Sequence, residues 1–382
     1  MNSFDNKILV ITQSKFTLRD YERFGVRFLA ANGFEISVFD FSPMLREPTY
    51  INSLQPGELV DFPRLFRIFE ISQFEACLVQ QGLINGYALC FMELLGREIP
   101  VFRSLSKFRI KYCHFIIGVL TGIQPSLRRV VSRINYLFKV HVIYRGEIEA
   151  ADAVFCAGKK ARQQLGFKKG AGTLIMDVGS FDYNTFVNRL PELQREDEGE
   201  ASFVYPDIVF VDQFLPHHLD FGGKQIIEAT KYYSLLNRYL EELSRQLRLT
   251  IGIAAHPRAD YRENPFAFPL FSKDTMQLIY HAKAVVSHYS TALGYAMLLN
   301  KPIIQLSFKE MSGTVTYKTI EKLSLEIGAE IVYLDTEIPP LLSIPVINRK
   351  KYEYFISQYM ISDRNIEKPD LLEALLDYLL SQ

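Results

Sequence analysis

The sequence lacks the cysteine pattern of a zinc site or of a disulfide-stabilised fold. Its 382 residues contain four cysteines, none of them in a CxxC pair, at positions Cys77, Cys90, Cys113 and Cys156. Scattered cysteines of this kind favour a reducing compartment. The first residues also lack the long apolar run of a signal peptide, and the longest uncharged apolar stretch, near Phe115–Ile123, is far shorter than a membrane span. We therefore expect a cytoplasmic protein.

The sequence also lacks a net charge and a dinucleotide fingerprint. Its 43 basic residues balance 43 acidic residues, which argues against a general nucleic-acid-binding protein. The first predicted strand, Lys7–Gln13, is not followed by GxGxxG spacing, so a nicotinamide or flavin enzyme is not indicated and no cofactor is expected. Any electrostatic function must therefore be local.

The length predicts two domains, because a single core rarely grows beyond about 250–300 residues. We expect an acceptor-side domain over 1–190, a nucleotide-binding domain over 203–345, and carboxy-terminal helices over 346–382 that pack back on the first domain. The boundary is placed at Pro191–Glu200, an acidic stretch with almost no apolar side chains. The predicted fold class is α/β, with two Rossmann-like domains facing a cleft.

The opening of the chain has the pattern of a βαβ unit. After the first strand, a helix is predicted over Tyr21–Ala31 and a second strand over Phe34–Asp40. Farther along, Glu75–Gln80 is predicted as a strand and Asn85–Leu95 as a helix. In the second half, apolar residues at helical spacing predict a long amphipathic helix over Lys224–Leu247.

The clearest functional signal lies between Leu249 and Leu306. Two short apolar runs in this stretch, Ile251–Ala255 and Ala284–Val286, are typical of buried parallel strands. Polar residues follow each run, and in an open α/β sheet such residues face a ligand at the carboxyl ends of the strands. A helix over Thr291–Leu299, capped by the residue before it, is expected to direct its N–H groups at a phosphate. The residues predicted to bind the nucleotide are His256, Pro257, Arg258, Ser287, Ser290 and Thr291.

At these residues the sequence resembles the bacterial GT-B sugar transferases, in particular the sialyltransferase-like and Kdo-transferase-like families. His256-Pro257 matches a His-Pro pair that follows one strand in those families, and Ser290-Thr291 matches a Ser-Ser/Thr element after a later strand. The resemblance implies the GT-B fold and a metal-independent glycosyltransferase. It further implies a nucleotide-sugar donor, with a CMP-linked ulosonic acid preferred over UDP or GDP sugars, and a growing surface glycan such as lipopolysaccharide or capsule as the acceptor.

The catalytic acid has to be sought outside the resemblance, because the acidic-acidic-Gly motif of the sialyltransferases has no match in the first half of the chain. Asp212 ends the first predicted strand of the second domain, and His217 and His218 follow it in a loop. A carboxylate and a histidine can act as an acid/base pair. Asp182 of the first domain is the main rival, and capping of the turn after the strand is an equal alternative for Asp212. No third ligand stands at metal-binding spacing, so no metal site is expected.

A basic segment runs from Ile99 to Gly146 without an acidic residue. Apolar residues at helical spacing within it leave Arg128, Arg129 and Arg133 off the apolar stripe, so the helix is amphipathic and cationic. Such a surface suits anionic lipid headgroups or a lipid-linked acceptor at the inner face of the cytoplasmic membrane. The alternative is an ordinary solvated helix that packs on its domain.

Other functions remain compatible with the same residues. A CDP-alditol phosphotransferase of the teichoic-acid type shares the His-Pro element, and a nucleotide-sugar epimerase shares the fold. From another class, the chain can be a non-catalytic GT-B homologue that binds a transferase partner. Taken singly, His256 can satisfy a buried carbonyl and Ser290 can be a simple helix cap. Their position on successive strand ends is what favours a phosphate site.

Overall fold

The protein is described here by a computed structural model, which covers residues 5–46, 60, 62–92, 96–117, 146–165, 169–197, 203–217, 226–256, 259, 261, 263–272, 274–366 and 370–382. The chain divides into two compact units. The first unit comprises Met1–Gly118, Gln124–Phe181 and Ser362–Gln382. The second unit comprises Val119–Ile123 and Asp182–Ile361.

The first unit is built on a parallel sheet. Within the described residues seven strands pair in the order β3-β2-β1-β4-β5-β6-β7, and each neighbouring pair is parallel. Apolar residues occupy both faces of these strands because helices cover both faces of the sheet. The strands are β1 (Lys7–Thr12), β2 (Glu35–Asp40), β3 (Leu65–Arg67), β4 (Tyr87–Phe91), β5 (Lys111–Ile116), β6 (Ala151–Ala157) and β7 (Lys169–Val178).

The described helices of the first unit connect these strands. The single helix predicted over Tyr21–Ala31 is two short helices, because Gly25 between them has a φ of 73°, a left-handed conformation that interrupts a helix. The helices are α1 (Leu18–Arg23), α2 (Val26–Ala31), α3 (Ser42–Leu45), α4 (Ile71–Gln80), α5 (Ile99–Lys107) and α6 (Gly158–Arg162).

Two sequence predictions in the first unit were wrong. Glu75–Gln80, predicted as a strand, is the second half of α4, whose Phe74 and Leu78 are buried one turn apart. Asn85–Leu95, predicted as a helix, contains the central strand β4, in which four successive residues from Tyr87 are buried. Short apolar runs do not by themselves distinguish a strand from a helix. Because one helix and one strand were mistaken for each other, the predicted alternation of strands and helices is otherwise unchanged.

The second unit repeats the architecture. Its strands pair in the order β10-β9-β8-β11-β12-β13 within the described residues, again all parallel. The first strand of the unit is therefore central, and the chain turns back across it to the other half of the sheet. The strands are β8 (Ile208–Val211), β9 (Ile251–Ala254), β10 (Leu270–Phe271), β11 (Ala284–Ser287), β12 (Ile303–Ser307) and β13 (Ile331–Tyr333).

The second unit's helices include part of the acidic stretch Pro191–Glu200, at which the domain boundary was predicted. Pro191–Asp197 forms the last part of a long helix. The residues of this helix are mainly polar, and a helix of this kind can form without being buried. Short 3-10 turns lie at Leu215–His217 and Lys309–Met311. The helices are α7 (Phe181–Asp197), α8 (Ala229–Leu247), α9 (Thr275–His281), α10 (Leu293–Leu298), α11 (Val315–Ile327) and α12 (Arg349–Tyr359).

The last helix, α13 (Leu371–Leu380), belongs to the first unit. Its apolar face, including Leu375 and Leu379, is part of the core cluster of that unit. The hydroxyls of Tyr378 and Tyr87 lie 2.7 Å apart inside it. The preceding helix α12 stays with the second unit. In the part of the chain described, no helix combines the length and apolar character needed to cross a bilayer.

Candidate active site

The second sheet has a topological switch point between β8 and β11. The chain continues from β8 to β9 and β10 on one side and then crosses to β11 on the other side. Such a reversal opens a crevice at the carboxyl ends of the strands. Asp212 and Gln213 follow β8, His256 lies just beyond β9, and Ser290 follows β11. Since β9 and β11 flank β8, the carboxyl ends of these two strands are separated by two strand spacings, about 10 Å. Of the predicted nucleotide-binding residues, His256 therefore approaches this edge from one side of β8 and Ser290 from the other.

Asp212 is enclosed at this edge. Asp212 is only 3% exposed. Its carboxylate accepts hydrogen bonds from the Phe214 N–H at 2.9 Å, the His256 N–H at 3.4 Å and the Tyr261 hydroxyl. Burial raises the pKa of the Asp212 carboxyl from 3.8 to about 6, and the hydrogen bonds, that of Tyr261 first, oppose the rise. The group thus remains mostly ionised at pH 7 while both of its oxygens are engaged.

Gln213 points to the other side of β8. Its amide nitrogen donates to the Val211 carbonyl at 3.0 Å and to the Ser287 hydroxyl at 2.8 Å. Its amide oxygen accepts from the backbone N–H groups of His288 and Tyr289, each at 3.1 Å. A glutamine side chain offers two hydrogens and two lone pairs, and all are used here. No motif in the sequence indicates this role for Gln213.

His288 is a second buried polar group that the sequence analysis missed. Its Nδ1 lies 3.0 Å from the Leu306 carbonyl and its Nε2 lies 3.1 Å from the Tyr232 hydroxyl. A carbonyl only accepts, so Nδ1 carries the hydrogen and Nε2 accepts from the tyrosine. Burial lowers the pKa of His288 from 6.5 to about 4, which the bond to Leu306 opposes. The ring is therefore neutral at pH 7.

The turn after β11 differs from the prediction. The helix begins at Leu293 rather than Thr291, and its N-cap residue is Ala292, not Ser290. Ser290 instead accepts from the Ala292 N–H through its hydroxyl at 3.2 Å and from the Leu293 N–H through its carbonyl at 3.2 Å. The Gly294 N–H is bonded to the Thr291 carbonyl at 2.9 Å. The leading N–H groups are thus engaged within the turn, and side-chain hydroxyls remain the main donors.

The other predicted nucleotide-binding residues lie in different settings. Ser287 is fully buried and its hydroxyl donates to the Val211 carbonyl at 3.1 Å, so it lies inside the sheet edge and not on its surface. Thr291 is exposed, and Ser290 and His256 are partly exposed. Pro257 and Arg258 lie outside the described residues.

The predicted catalytic residues do not all come together. His217 is exposed in the 3-10 turn after Asp212, and its ring lies 5.0 Å from that of Phe214. His218 lies outside the described residues. Asp182, in the first turn of α7, is partly exposed and accepts from the Tyr295 hydroxyl at 3.3 Å. Since Tyr295 belongs to α10, Asp182 lies beside the helix that follows the Ser290-Thr291 turn.

The basic segment is described only in part. Arg128, Arg129 and Arg133 lie outside the described residues. Near its start, Arg103 is paired with Glu147 at 2.7 Å and Lys107 with Glu75 at 2.6 Å. These two cations are therefore neutralised by acids from outside the segment. In the described part of the chain, no group of three or more His, Cys, Asp or Glu side chains is arranged to hold a metal ion.

Comparison with known proteins gives similarity of structure but not of sequence. No protein-family model matches the chain, and no curated protein matches it significantly. The structure is similar to UDP-GlcNAc 2-epimerase from Methanocaldococcus jannaschii, with 13% identity, a TM-score of 0.52, and coverage of 98% of this chain and 99% of that chain. For the complex of that enzyme with UDP-GlcNAc and UDP the identity is 12%, the TM-score 0.50, and the coverage 98% and 100%.

A third similar structure is the wall teichoic acid polymerase TagF, in a variant soaked with CDPG. It has 9% identity, a TM-score of 0.52, and coverage of 98% of this chain and 88% of that chain. Identities this low carry information about the fold alone. The predicted fold class is confirmed: the chain is an α/β protein with two Rossmann-like domains of the GT-B type.

Proposed function

We propose that the protein is a glycosyltransferase that moves a sugar from a nucleotide-activated donor to a glycan or lipid-linked acceptor. The observation that carries the proposal is the convergence of His256 and the Ser290-Thr291 turn on the carboxyl edge of the second sheet, at its switch point. Ligands of open α/β sheets bind at such a point. None of the three residues is buried, so all three are accessible to a ligand there.

The chemistry of these groups suits a phosphate. The Ser290 hydroxyl accepts from the Ala292 N–H, which orients its oxygen while its own hydrogen remains able to donate. The exposed Thr291 hydroxyl and the His256 ring supply further donors. Hydrogen bonds to an ionised phosphate are about twice as strong as neutral ones. Such donors can stabilise the negative charge that develops on a departing nucleotide without a metal ion.

Of the candidate acids, we favour Asp182 for the chemical step. A transferase needs a carboxylate that can reach the acceptor hydroxyl or the anomeric carbon. Asp212 is 3% exposed and bonded through both oxygens, whereas Asp182 is partly exposed. We expect Asp182→Asn to reduce turnover at least about a hundredfold with nucleotide affinity unchanged. Full turnover in that variant would return the assignment to Asp212 or to the histidines after it.

For the donor, a CMP-linked ulosonic acid is favoured over UDP and GDP sugars. The support is the sequence resemblance at His256-Pro257 and Ser290-Thr291. A CDP-alditol phosphotransferase is the second candidate, supported by the shared His-Pro element and by a fold that is also that of TagF. Both reactions release CMP and are distinguished by the bond they form: a CDP-alditol phosphotransferase forms a phosphodiester, whereas a transferase of CMP-ulosonic acid forms a glycosidic bond.

The acceptor is proposed to be a surface polysaccharide or its lipid-linked precursor at the inner face of the membrane. Support comes from the basic segment of the sequence, in particular the three arginines of its predicted cationic helix. The pairing of Arg103 and Lys107 with acids concentrates any membrane attraction in the remainder of that segment. Each accessible cation near an anionic membrane surface contributes about 1 kcal/mol to the free energy of binding.

The proposal is tested with a panel of CMP, CDP, UDP and GDP in a thermal-shift assay, followed by titration calorimetry. We expect one nucleotide to stabilise the protein, and His256→Ala to weaken its binding by about 1–3 kcal/mol through loss of one charge-assisted hydrogen bond. The matched control is His281→Ala, because His281 ends α9 at the amino edge of the same sheet, stacked on Tyr205. Equal affinity of the two variants would contradict the proposed site.

A further inference from the structure

Two successive residues after the central strand β8 hold the two loops that flank it. Asp212 reaches the β9 side, where it accepts from the His256 N–H and the Tyr261 hydroxyl. Gln213 reaches the β11 side, where it accepts from the N–H groups of His288 and Tyr289. One dipeptide therefore contacts both loops that approach the switch point.

We infer that Asp212 and Gln213 are positioning residues, Asp212 for the His256 side and Gln213 for the Ser290-Thr291 side of the ligand site. The inference rests on the proposed function for what the ligand is, a nucleotide phosphate. Each residue acts through backbone N–H groups, so it fixes the path of a loop and not only a rotamer. Both side chains are fully hydrogen-bonded within the protein, which suits a positioning role. Asp212 is therefore not expected to contact the reacting groups.

On the β11 side the hydrogen-bond pattern leaves little freedom. The N–H groups of His288 and Tyr289 share the Gln213 oxygen, and the Ser287 hydroxyl both accepts from the Gln213 amide and donates to Val211. Gln305 holds the same loop from the next strand, since its amide donates to the His288 carbonyl at 3.1 Å. Ser290 comes two residues after His288, so its hydroxyl is placed by a backbone anchored on both sides.

On the β9 side Asp212 also stabilises a strained turn. Phe214 has a φ of 53°, a left-handed conformation that is unfavourable for a bulky residue. Its N–H donates to Asp212 at 2.9 Å, and its ring packs edge-on against Tyr261 at 5.4 Å. The carboxylate therefore joins the turn after β8, the Tyr261 hydroxyl and the backbone of His256 in one buried group.

The test separates the two sides by double-mutant cycles on nucleotide affinity. Gln213→Glu keeps the shape and the acceptor oxygens but cannot donate to Val211 or Ser287, so we expect affinity to fall at least about tenfold. Adding Ser290→Ala to this variant should cause little further loss, because the hydroxyl is already misplaced. Adding His256→Ala should multiply the loss, because that side is intact.

Asp212→Asn should give the reverse pattern, coupled with His256→Ala and additive with Ser290→Ala. Additivity in all four pairs, or unchanged affinity in folded single variants, would overturn the inference. Milder variants guard against misfolding: Ser287→Ala on one side and Tyr261→Phe on the other should show the same directions with smaller losses. If Asp212 and Gln213 only stabilised the fold, each variant would couple equally to His256→Ala and to Ser290→Ala. That result would also overturn the inference.

A readout without nucleotide separates this inference from the proposed function. Amide hydrogen exchange should accelerate over 288–292 in Gln213→Glu and at His256 and Tyr261 in Asp212→Asn, each without acceleration of the opposite loop. If this pattern appears but wild-type protein binds none of the four nucleotides, the proposed function fails and the positioning role stands. If nucleotides bind and both variants accelerate both loops, the positioning assignment is wrong.

Discussion

Removing the charge of Asp212 should change how the stability of the second unit depends on pH. The folded state holds two buried groups with opposite behaviour. The pKa of Asp212 is raised from 3.8 to about 6 by burial, and that of His288 is lowered from 6.5 to about 4, also by burial. Asp212→Asn eliminates the first of these and leaves the second in place.

The signs follow from proton binding. Between pH 3.8 and 6, folded Asp212 holds a proton that the unfolded chain has released, so stability falls as pH rises. Between pH 4 and 6.5, the unfolded chain holds a proton that folded His288 does not, so stability rises with pH. Each difference in pKa corresponds to about 3 kcal/mol. In the wild-type protein the two effects nearly cancel over this range.

We therefore expect the free energy of opening the second unit to rise by about 3 kcal/mol between pH 4 and 6.5 in Asp212→Asn, relative to wild type. The matched variant His288→Gln keeps a donor and an acceptor and should show a fall of similar size. Hydrogen exchange of the β8 and β11 amides, corrected for the intrinsic rate, measures this local opening without assuming that both units unfold together. Parallel pH profiles in wild type and Asp212→Asn would refute the argument.

Further predictions concern the first unit and the membrane. Gly25→Ala should destabilise the first unit by more than the roughly 1–2 kcal/mol of left-handed strain, because its new Cβ would lie 2.5 Å from a methyl of Leu372 on α13. Gly33→Ala, with φ of 88° and no atom within 4 Å of the new Cβ, should cost the strain alone; equal melting-temperature losses would contradict this. Neutralising the three arginines of the predicted cationic helix should abolish sedimentation with anionic liposomes at low salt, and failure of the native protein to sediment would contradict membrane attachment.

The second unit was the easier half to predict. Its strands β9 and β11 are short β-branched or apolar runs with polar residues directly after them, and this pattern locates the carboxyl edge of a parallel sheet. In the first unit, β4 is rich in Ala, Leu and Cys, residues with no strong preference for strands, and α4 shows only two buried positions. Tertiary packing determines both elements, which is why the helix was predicted as a strand and the strand as a helix.

The interior of the candidate site could not be predicted for a different reason. Gln213 meets Ser287 and His288 across more than seventy residues of chain, and no local pattern indicates which strand will pair with which. His288 stands beside Ser287 in the sequence but has no motif that marks it as buried and neutral. The start of α10 was also misplaced, because Ser290 forms a tighter turn ahead of the helix.

The proposed function requires that a nucleotide phosphate binds at the switch point of the second sheet. The most direct measurement is a crystal structure with the nucleotide selected by the thermal-shift panel. We expect phosphate oxygens within about 3.2 Å of the His256 ring and of the Ser290 or Thr291 hydroxyl, with Asp212 and Gln213 behind them and out of contact with the ligand. A nucleotide bound away from the ends of β8, β9 and β11, or a phosphate in direct contact with Gln213, would contradict it.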